Sequence, residues 1–274
     1  MLTERQIAEI AAMDADGPRL TSQRASAIVP SSPEWLWDLW LLRRALNLLV
    51  ARQGAGKTTL AAYIVACLTL GLAIAGDESH APMRVGFLSL EEPPDRIVAR
   101  LHAVKADLER VVILGDVDDV DDEGNRFRRR WQLPRDVAIL GQAIMEHELD
   151  LVIVDGLGYS ISGDSHNYAI VGAALAALAG EAERTNAGIL GLVHPPKGAS
   201  DPVTAAIGST AWTAIPRVSL VLGVDPNDET GATRVLSVGK TNYKDPGTSL
   251  AFTIGSDPTY ECGFVDGLRP SCVS

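Results

Sequence analysis

The sequence predicts an α/β protein in which a mostly parallel, twisted sheet is flanked by helices and extended by antiparallel strands at its C-terminal side. Two features lead to this prediction. From residue 45 onward, short apolar runs rich in β-favouring residues alternate with helical runs, a pattern typical of a parallel sheet covered on both faces. After residue 208 the segments become strand-rich, with turns marked by Asp225-Pro226 and Asp245-Pro246.

The predicted elements follow one another in a regular order. The β-rich runs lie at 45–50, 84–90, 110–114, 150–155 and 187–193, and the helical runs at 57–71, 94–107, 135–148 and 168–186. The strand-rich segments at the C-terminal side are 217–224, 233–240 and 249–254. The chain is therefore expected to consist of an N-terminal extension (1–44) with a tryptophan-rich segment, an α/β domain (45–255) and a C-terminal tail (256–274).

Length, composition and charge limit the classes of function. A chain of 274 residues, of which 46% are hydrophobic, can bury the core of one large domain. The formal net charge of −11 argues against a broad basic face for duplex DNA, although a few clustered basic residues can still contact phosphates. The longest apolar run, 60–75, is too short to span a bilayer, and the N-terminus has no signal-peptide pattern. We therefore expect a cytoplasmic protein without a membrane segment.

The segment from Ala51 to Thr58 predicts a phosphate-binding loop. It departs from the spacing G-x-x-x-x-G-K-[S/T] only at its first position, where Ala51 replaces glycine. Gly54 and Gly56 allow positive φ angles, so that successive N–H groups can point at phosphate oxygens. Lys57 supplies a charge for the outer phosphates, and Thr58 supplies a hydroxyl for magnesium. The predicted nucleotide-binding residues are Gly54, Ala55, Gly56, Lys57, Thr58 and Thr59.

Acidic residues at the ends of two predicted strands can hold magnesium and orient the attacking water. The apolar run 151–154 ends in Asp155, at the edge where α/β sheets bind ligands, and the neighbouring phosphate loop favours magnesium coordination over a turn aspartate. The run 85–90 ends in Glu91 and Glu92, and either glutamate could act on the water. Because side chains alternate along a strand, only one of the two can face the phosphate.

A third predicted strand, 188–193, ends in His194 before a proline turn. A polar side chain there can sense whether the γ-phosphate is present, and the alternative is a surface histidine. The stretch from His194 to Gly208 contains adjacent prolines, Lys197 and several small residues, which is typical of a mobile loop at the ligand-facing edge.

Two further segments allow alternative interpretations. Residues 33–40 hold three of the five tryptophans, which favours a hydrophobic lid on the domain edge; the alternatives are a subunit contact and a wall near the nucleotide base. Residues 116–123 carry six carboxylates and are followed by Arg126, Arg128, Arg129 and Arg130. Such a block is typical of a solvated loop that partly neutralises itself, and the alternative is an arm whose arginines contact a partner or nucleic acid.

Taken together, these segments resemble the RecA-like P-loop ATPase superfamily, and within it the RepA-type branch of AAA-family, ring-forming DNA helicases and related phage and plasmid ATPases. The resemblance covers residues 25–255 and depends on the order and spacing of several short motifs. These are Trp35-Leu36-Trp37, Gly56-Lys57-Thr58, Phe87 to Pro94, Val152 to Asp155, Val193 to Gly198, Gly208 to Ala211 with Arg217, and Lys240 to Lys244. The fold that this resemblance implies is a RecA-like sheet over residues 45–255.

The resemblance also implies roles within one subunit. Glu91 is the implied catalytic carboxylate, because the family's acid directly follows the strand's Ser-Leu pair. Lys57 acts on the phosphates, and His194 is the implied γ-phosphate sensor. Asp155 and Thr58 are implied to hold Mg²⁺, so the implied cofactors are ATP and Mg²⁺.

Further implied roles involve neighbouring subunits and DNA. Arg217 and Lys240 resemble positions that reach into the nucleotide site of the next subunit in a homohexameric ring. The loop from His194 to Gly208, with Lys197, resembles the segment that faces single-stranded DNA in the central channel. Asn242 stands where ring helicases often have a second basic residue, and the loop has little other positive charge, so weak single-strand binding is expected.

The leading hypothesis is therefore a hexameric RecA-like ATPase that couples ATP hydrolysis to movement on single-stranded DNA. The alternative is a nucleotide-switched regulatory or assembly ATPase of a mobile-element, replication or recombination system, without unwinding activity. The low basic charge favours this alternative. A small-molecule kinase is disfavoured, because the strand-rich C-terminal part does not look like an acceptor-binding lid.

Overall fold

The computed structural model describes residues 3, 21–75, 77–163, 167–195, 211–243 and 249–253. The chain divides into two compact units, Met1–Ser32 and Pro33–Ser274. Within the first unit, the described part includes a single 3-10 turn at Ala25–Ala27. The second unit contains the sheet and starts before the expected domain boundary at residue 45, because the tryptophan-rich segment packs into its core.

The described strands and helices of the second unit match most of the predicted bounds. The strands are β1 (Trp35–Trp37), β2 (Leu41–Leu42), β3 (Leu46–Ala51), β4 (Val85–Ser89), β5 (Val111–Leu114), β6 (Val117–Val120), β7 (Arg126–Arg129), β8 (Leu151–Asp155), β9 (Gly188–Val193), β10 (Val218–Val224), β11 (Thr233–Thr241) and β12 (Ser249–Thr253). The α-helices are α1 (Lys57–Leu70), α2 (Pro94–Ala103), α3 (Val137–Glu146), α4 (Tyr168–Thr185) and α5 (Ala211–Ala214). None of the helices within the described ranges combines the length and the apolar character that a membrane crossing requires.

Eight strands form the central sheet, in the order β12-β11-β10-β3-β9-β8-β4-β5. The strands from β10 to β5 run parallel, and β11 and β12 continue the sheet in antiparallel pairing. The predicted α/β fold with a C-terminal antiparallel extension is confirmed. One detail differs from the prediction. The first of the three C-terminal strands, β10, pairs parallel to β3, with Val218 opposite Asn47, and therefore belongs to the parallel part of the sheet.

Apolar side chains cover both faces of this sheet, as the continuous apolar runs predict. Alternate residues of β3 illustrate the two layers. Leu49 packs with residues of α1 and α2, whereas Leu48 and Val50 pack with residues of α3 and α4. The sheet is therefore buried between two helical layers, and polar side chains at the strand ends are left to form a site.

The tryptophan-rich segment has the structure of the predicted hydrophobic lid. The rings of Trp37 and Trp40 stack with centroids 5.0 Å apart, and the two residues are only 3% and 4% exposed. Leu36 lies close to Gly188, and a Cβ atom at residue 188 would come within 2.7 Å of Leu36 Cδ1. Glycine at the start of β9 thus makes room for the lid.

The charged segment 116–130 forms a hairpin of β6 and β7 rather than the expected loop. Asp118 lies opposite Arg128 in the register, and the two form an ion pair at 2.9 Å. Arg129 donates hydrogen bonds to Asp136 and Asp119, and these bonds raise its pKa. Opposite charges facing each other across the strands stabilise the pairing, so the segment partly neutralises its own charge, as its composition predicts.

Candidate nucleotide-binding site

The phosphate loop joins β3 to α1 at the C-terminal edge of the parallel strands. Gly54 and Gly56 have φ angles of 77° and 96°, in the left-handed region that favours glycine. At Gly54 a Cβ would meet no atom within 4 Å, so the backbone conformation, and not crowding, requires glycine there. Ala51 is the last residue of β3 and pairs with Leu222. Extended backbone does not need glycine, so the departure from the usual motif does not disturb the loop.

Lys57 is buried at the centre of the site, with 6% of its surface exposed. Its Nζ donates to the carbonyl oxygen of Ala51 at 3.2 Å and lies 2.9 Å from His194 Nδ1. Burial lowers the pKa of Lys57, while the charges of Glu91 and Asp155 act in the opposite direction. The ammonium group can exchange its contact with His194 for phosphate oxygens.

Thr58 and Asp155 form the second part of the site. Thr58 Oγ1 donates a hydrogen bond of 3.0 Å to Asp155 Oδ2. Asp155 ends β8, is 1% exposed, and its Oδ1 atom has no hydrogen-bond partner among the described residues. Burial raises the pKa of Asp155 to about 6, although the bond from Thr58 acts against the shift.

This pair suits the magnesium ion that the sequence predicts. A buried carboxylate oxygen without a hydrogen-bond partner is unfavourable, and a bound ion or water can satisfy it. A carboxylate beside a hydroxyl provides oxygen ligands, which Mg²⁺ prefers. In the described part of the chain, no group of three or more His, Cys, Asp or Glu side chains forms a metal centre by itself. A P-loop magnesium ion does not need one, because phosphates and water provide its other ligands.

Glu91 and Glu92 follow the end of β4 at Ser89, outside the strand, and they have different partners. Glu91 Oε1 lies 3.3 Å from His194 Nε2, on the side of Lys57. Glu92 accepts two hydrogen bonds from Arg100, at 2.9 and 3.1 Å. Arg100 also reaches Thr59 Oγ1 at 3.4 Å. Glu92 is therefore engaged in an ion pair beside α1, and Glu91 is the carboxylate that faces the phosphate loop.

Gly156 makes room for Glu91. It follows β8 with a φ angle of 80°, and a Cβ there would come within 2.8 Å of Glu91 Cγ and 3.1 Å of Tyr159 Cδ2. Both the backbone conformation and the close approach require glycine at this position. The position of Glu91 thus depends on a glycine that is not among the predicted site residues.

Arg217 and Lys240 lie at the opposite edge of the sheet. The N–H of Arg217 donates to the carbonyl of Leu46, the first residue of β3. Lys240 is paired with Ser219, near the start of β10. The phosphate loop begins after the last residue of β3, which has six residues. At about 3.3 Å per residue, the two edges are about 20 Å apart. These two basic residues therefore do not join the site of their own chain.

The side chain of Lys240 is occupied within its own chain. Its Nζ donates to the carbonyl oxygens of Ala214 at 3.1 Å and Pro216 at 3.2 Å. Burial lowers its pKa, and the charge of Arg217 lowers it further. Arg217 itself is exposed, so it is the freer of the two to meet another molecule.

Sequence reasoning missed two arginines that contact the site. Arg100 could be found from its charge, since it lies on α2 eight residues after Glu92. Arg234 donates from Nε to the carbonyl of Ala55 at 2.9 Å, across a separation of 179 residues, and no local motif marks it. Several predicted positions lie outside the described residues, namely 196–208 with Lys197, Lys244 and the tail 256–274.

Comparison with known proteins identifies one family. Residues 14–200 match the family model described as the AAA domain, a span that includes the phosphate loop, Glu91, Asp155 and His194. A search of curated proteins gives no match.

Proposed function

Because the chain belongs to the AAA-domain family of P-loop ATPases, we propose that it hydrolyses ATP in a Mg²⁺-dependent reaction at the C-terminal edge of its sheet. The observation that carries the proposal is the convergence of separate strand ends on one point. Lys57 contacts His194, His194 contacts Glu91, and Thr58 contacts Asp155, all within hydrogen-bond distances.

Each of these residues has a task in phosphoryl transfer. The N–H groups around Gly54 and Gly56 and the start of α1 bind the phosphates, and Lys57 moves from His194 to the phosphate oxygens. Thr58 and Asp155 would hold Mg²⁺, which would neutralise negative charge that develops during phosphoryl transfer. Glu91 holds the attacking water and accepts its proton as the water oxygen bonds to phosphorus and the bond to the β-phosphate oxygen breaks.

The finer part of the proposal is a ring in which each nucleotide lies between two subunits. Arg217 and Lys240 are about 20 Å from the phosphate loop of their own chain, the distance that β3 spans. Residues at the opposite edge of one subunit can face the phosphate loop of the next when heterologous contacts close into a ring. We propose a homohexamer of the RepA type that moves on single-stranded DNA.

A nucleotide-switched regulatory or assembly ATPase is the second candidate. The net charge is −11, and Arg128 and Arg129, two of the four clustered arginines, are paired with carboxylates of the same chain. This charge distribution favours a protein partner over nucleic acid. The effect of DNA on turnover separates the two candidates.

The catalytic assignment is tested with Lys57→Ala, Glu91→Gln and Glu92→Gln, each assayed for ATP binding and turnover. We expect Lys57→Ala to lose binding, and Glu91→Gln to bind ATP while turnover falls by about 100-fold or more. Glu92→Gln is the matched control, since its ion pair with Arg100 keeps it out of the reaction, and its turnover should stay within a few-fold of the wild type. Equal loss of binding in Lys57→Ala and Glu91→Gln would contradict the role of Glu91.

The ring and its DNA substrate are tested by measuring particle mass and ATPase rate with and without single-stranded DNA. A hexamer with Mg²⁺ and ATP and a DNA-stimulated rate are expected. A hexamer whose ATPase rate is the same with and without single-stranded DNA would favour the nucleotide-switched regulatory or assembly ATPase. A monomer under these conditions would refute the ring.

A further inference from the structure

Arg234 links the phosphate loop to the antiparallel part of the sheet. It is the second residue of β11, where it pairs with Val224 of β10 and Phe252 of β12. Its Nε donates to the carbonyl of Ala55 at 2.9 Å, and its Nη1 donates to the carbonyls of Gly231 and Thr233. One half-buried guanidinium group therefore holds the turn before β11 and the tip of the loop together.

The bond to Ala55 fixes the orientation of one peptide group. In a trans peptide, the carbonyl of Ala55 and the N–H of Gly56 point in opposite directions. Arg234 draws the carbonyl toward β11, so the N–H of Gly56 points away from β11. Gly54 and Gly56 both have positive φ angles, and glycine gives this stretch more conformational freedom than any other residue. The bond from Arg234 therefore adds a restraint on a peptide that the two glycines leave freer to rotate.

We propose that Arg234 is a positioning residue for nucleotide binding, which holds the Ala55–Gly56 peptide so that the Gly56 N–H faces the phosphates. The inference rests on the proposed nucleotide site and deepens it. It makes the geometry of the loop depend on β11, the strand that carries Lys240 near its other end. A strand of nine residues thus connects the phosphate loop to the edge assigned to the neighbouring subunit.

The test compares Arg234→Ala, Arg234→Lys and a control, Ser237→Ala, in the full chain. Ser237 lies on the same strand, and its Oγ is 2.8 Å from Ser249 Oγ, so the control weakens β11 without touching the loop. For Arg234→Ala we expect the Kd for ADP and the KM for ATP to rise about tenfold, the effect of losing one charged hydrogen bond, with kcat within about threefold. Lysine retains charge and one donor, so Arg234→Lys should restore part of the affinity.

Two results would overturn the inference. One is an ADP affinity of Arg234→Ala equal to that of the wild type. The other is an equal rise in the Kd for ADP in Ser237→Ala, which would show that the weaker binding comes from a less stable β11. Thermal unfolding without nucleotide is measured for all variants. If Arg234→Ala does not fold, Arg234→Lys carries the test and must still bind ADP more weakly than the wild type. Lys57→Ala tests separately whether the nucleotide site is correctly assigned. If that assignment is wrong, Lys57→Ala should bind ADP and ATP as tightly as the wild type.

Discussion

Replacing Asp155 by asparagine should stabilise the nucleotide-free protein while removing its response to Mg²⁺-ATP. Asp155 is 1% exposed, and burial raises its pKa to about 6, from about 3.9 in an unfolded chain. Because the pKa of the folded state is the higher one, the folded protein binds this proton more tightly. Its contribution to stability is present below pH 4 and is lost as the pH rises through 6.

The size of the effect follows from the pKa difference. About two pKa units at 1.36 kcal/mol each give up to about 3 kcal/mol, the cost of keeping the carboxylate buried and ionised above pH 7. Asparagine has nearly the same shape and no charge, so Asp155→Asn should avoid this cost and can still accept the hydrogen bond from Thr58. For a domain of this size, 3 kcal/mol corresponds to roughly 6–12 °C in Tm.

The assay is urea and thermal unfolding of both proteins in EDTA at several pH values between 8 and 4.5. The stability difference should be largest at pH 8 and shrink toward zero at low pH. With Mg²⁺ and a slowly hydrolysed ATP analogue, the wild type should gain stability and Asp155→Asn should gain little. Asp118→Asn, in an exposed ion pair on β6, is the control for removing a carboxylate outside the site. An equal stability of Asp155→Asn and the wild type at pH 8 would refute the argument that keeping the Asp155 carboxylate buried and ionised costs stability.

Two further outcomes are expected. Gly156→Ala forces an alanine into the left-handed region and against Glu91 Cγ, so kcat should fall at least about tenfold while the Kd for nucleotide changes little, as steady-state kinetics and binding titration would measure. A parallel loss of nucleotide binding would speak against this local effect. Asp136→Ala removes one of the two carboxylates paired with Arg129, so urea unfolding should report a loss of about 1–3 kcal/mol with KM for ATP unchanged. An unaltered unfolding midpoint would show that this ion pair does not anchor the hairpin.

Most of the fold could be predicted from the sequence because its signals are local. Continuous apolar runs mark β3, β8 and β9, and the phosphate loop marks the start of α1. Where prediction failed, local signals were missing. The helix expected to reach residue 107 ends at Ala103, because the chain turns at Lys105 with a φ angle of 59°. Glycine usually marks such a left-handed turn in a sequence, and here the residue is a lysine. The hairpin of β6 and β7 has no clear apolar alternation, since cross-strand charge pairs stabilise it.

The residues of the candidate site also fall into those that local motifs identify and those that only tertiary contacts identify. Lys57, Thr58 and Asp155 lie in recognisable motifs, and the structure brings them together at the expected edge. The choice between Glu91 and Glu92 needed tertiary information, because only the packing of α2 brings Arg100 to Glu92. For Arg234 the contact depends on the order of strands in the sheet, which places β11 near the loop from far along the chain. Such a contact cannot be inferred from spacing.

The most direct test of the central claim, a nucleotide site completed by the next subunit, is a mixing experiment with two inactive variants. Lys57→Ala lacks the phosphate-loop lysine but retains Arg217, and Arg217→Ala has the reverse defect. In rings formed from an equal mixture, one interface in four combines an intact loop with an intact Arg217, so about a quarter of the wild-type ATPase rate is expected, while each variant alone stays near background. A mixture that assembles into rings but is no more active than its two components would contradict the claim.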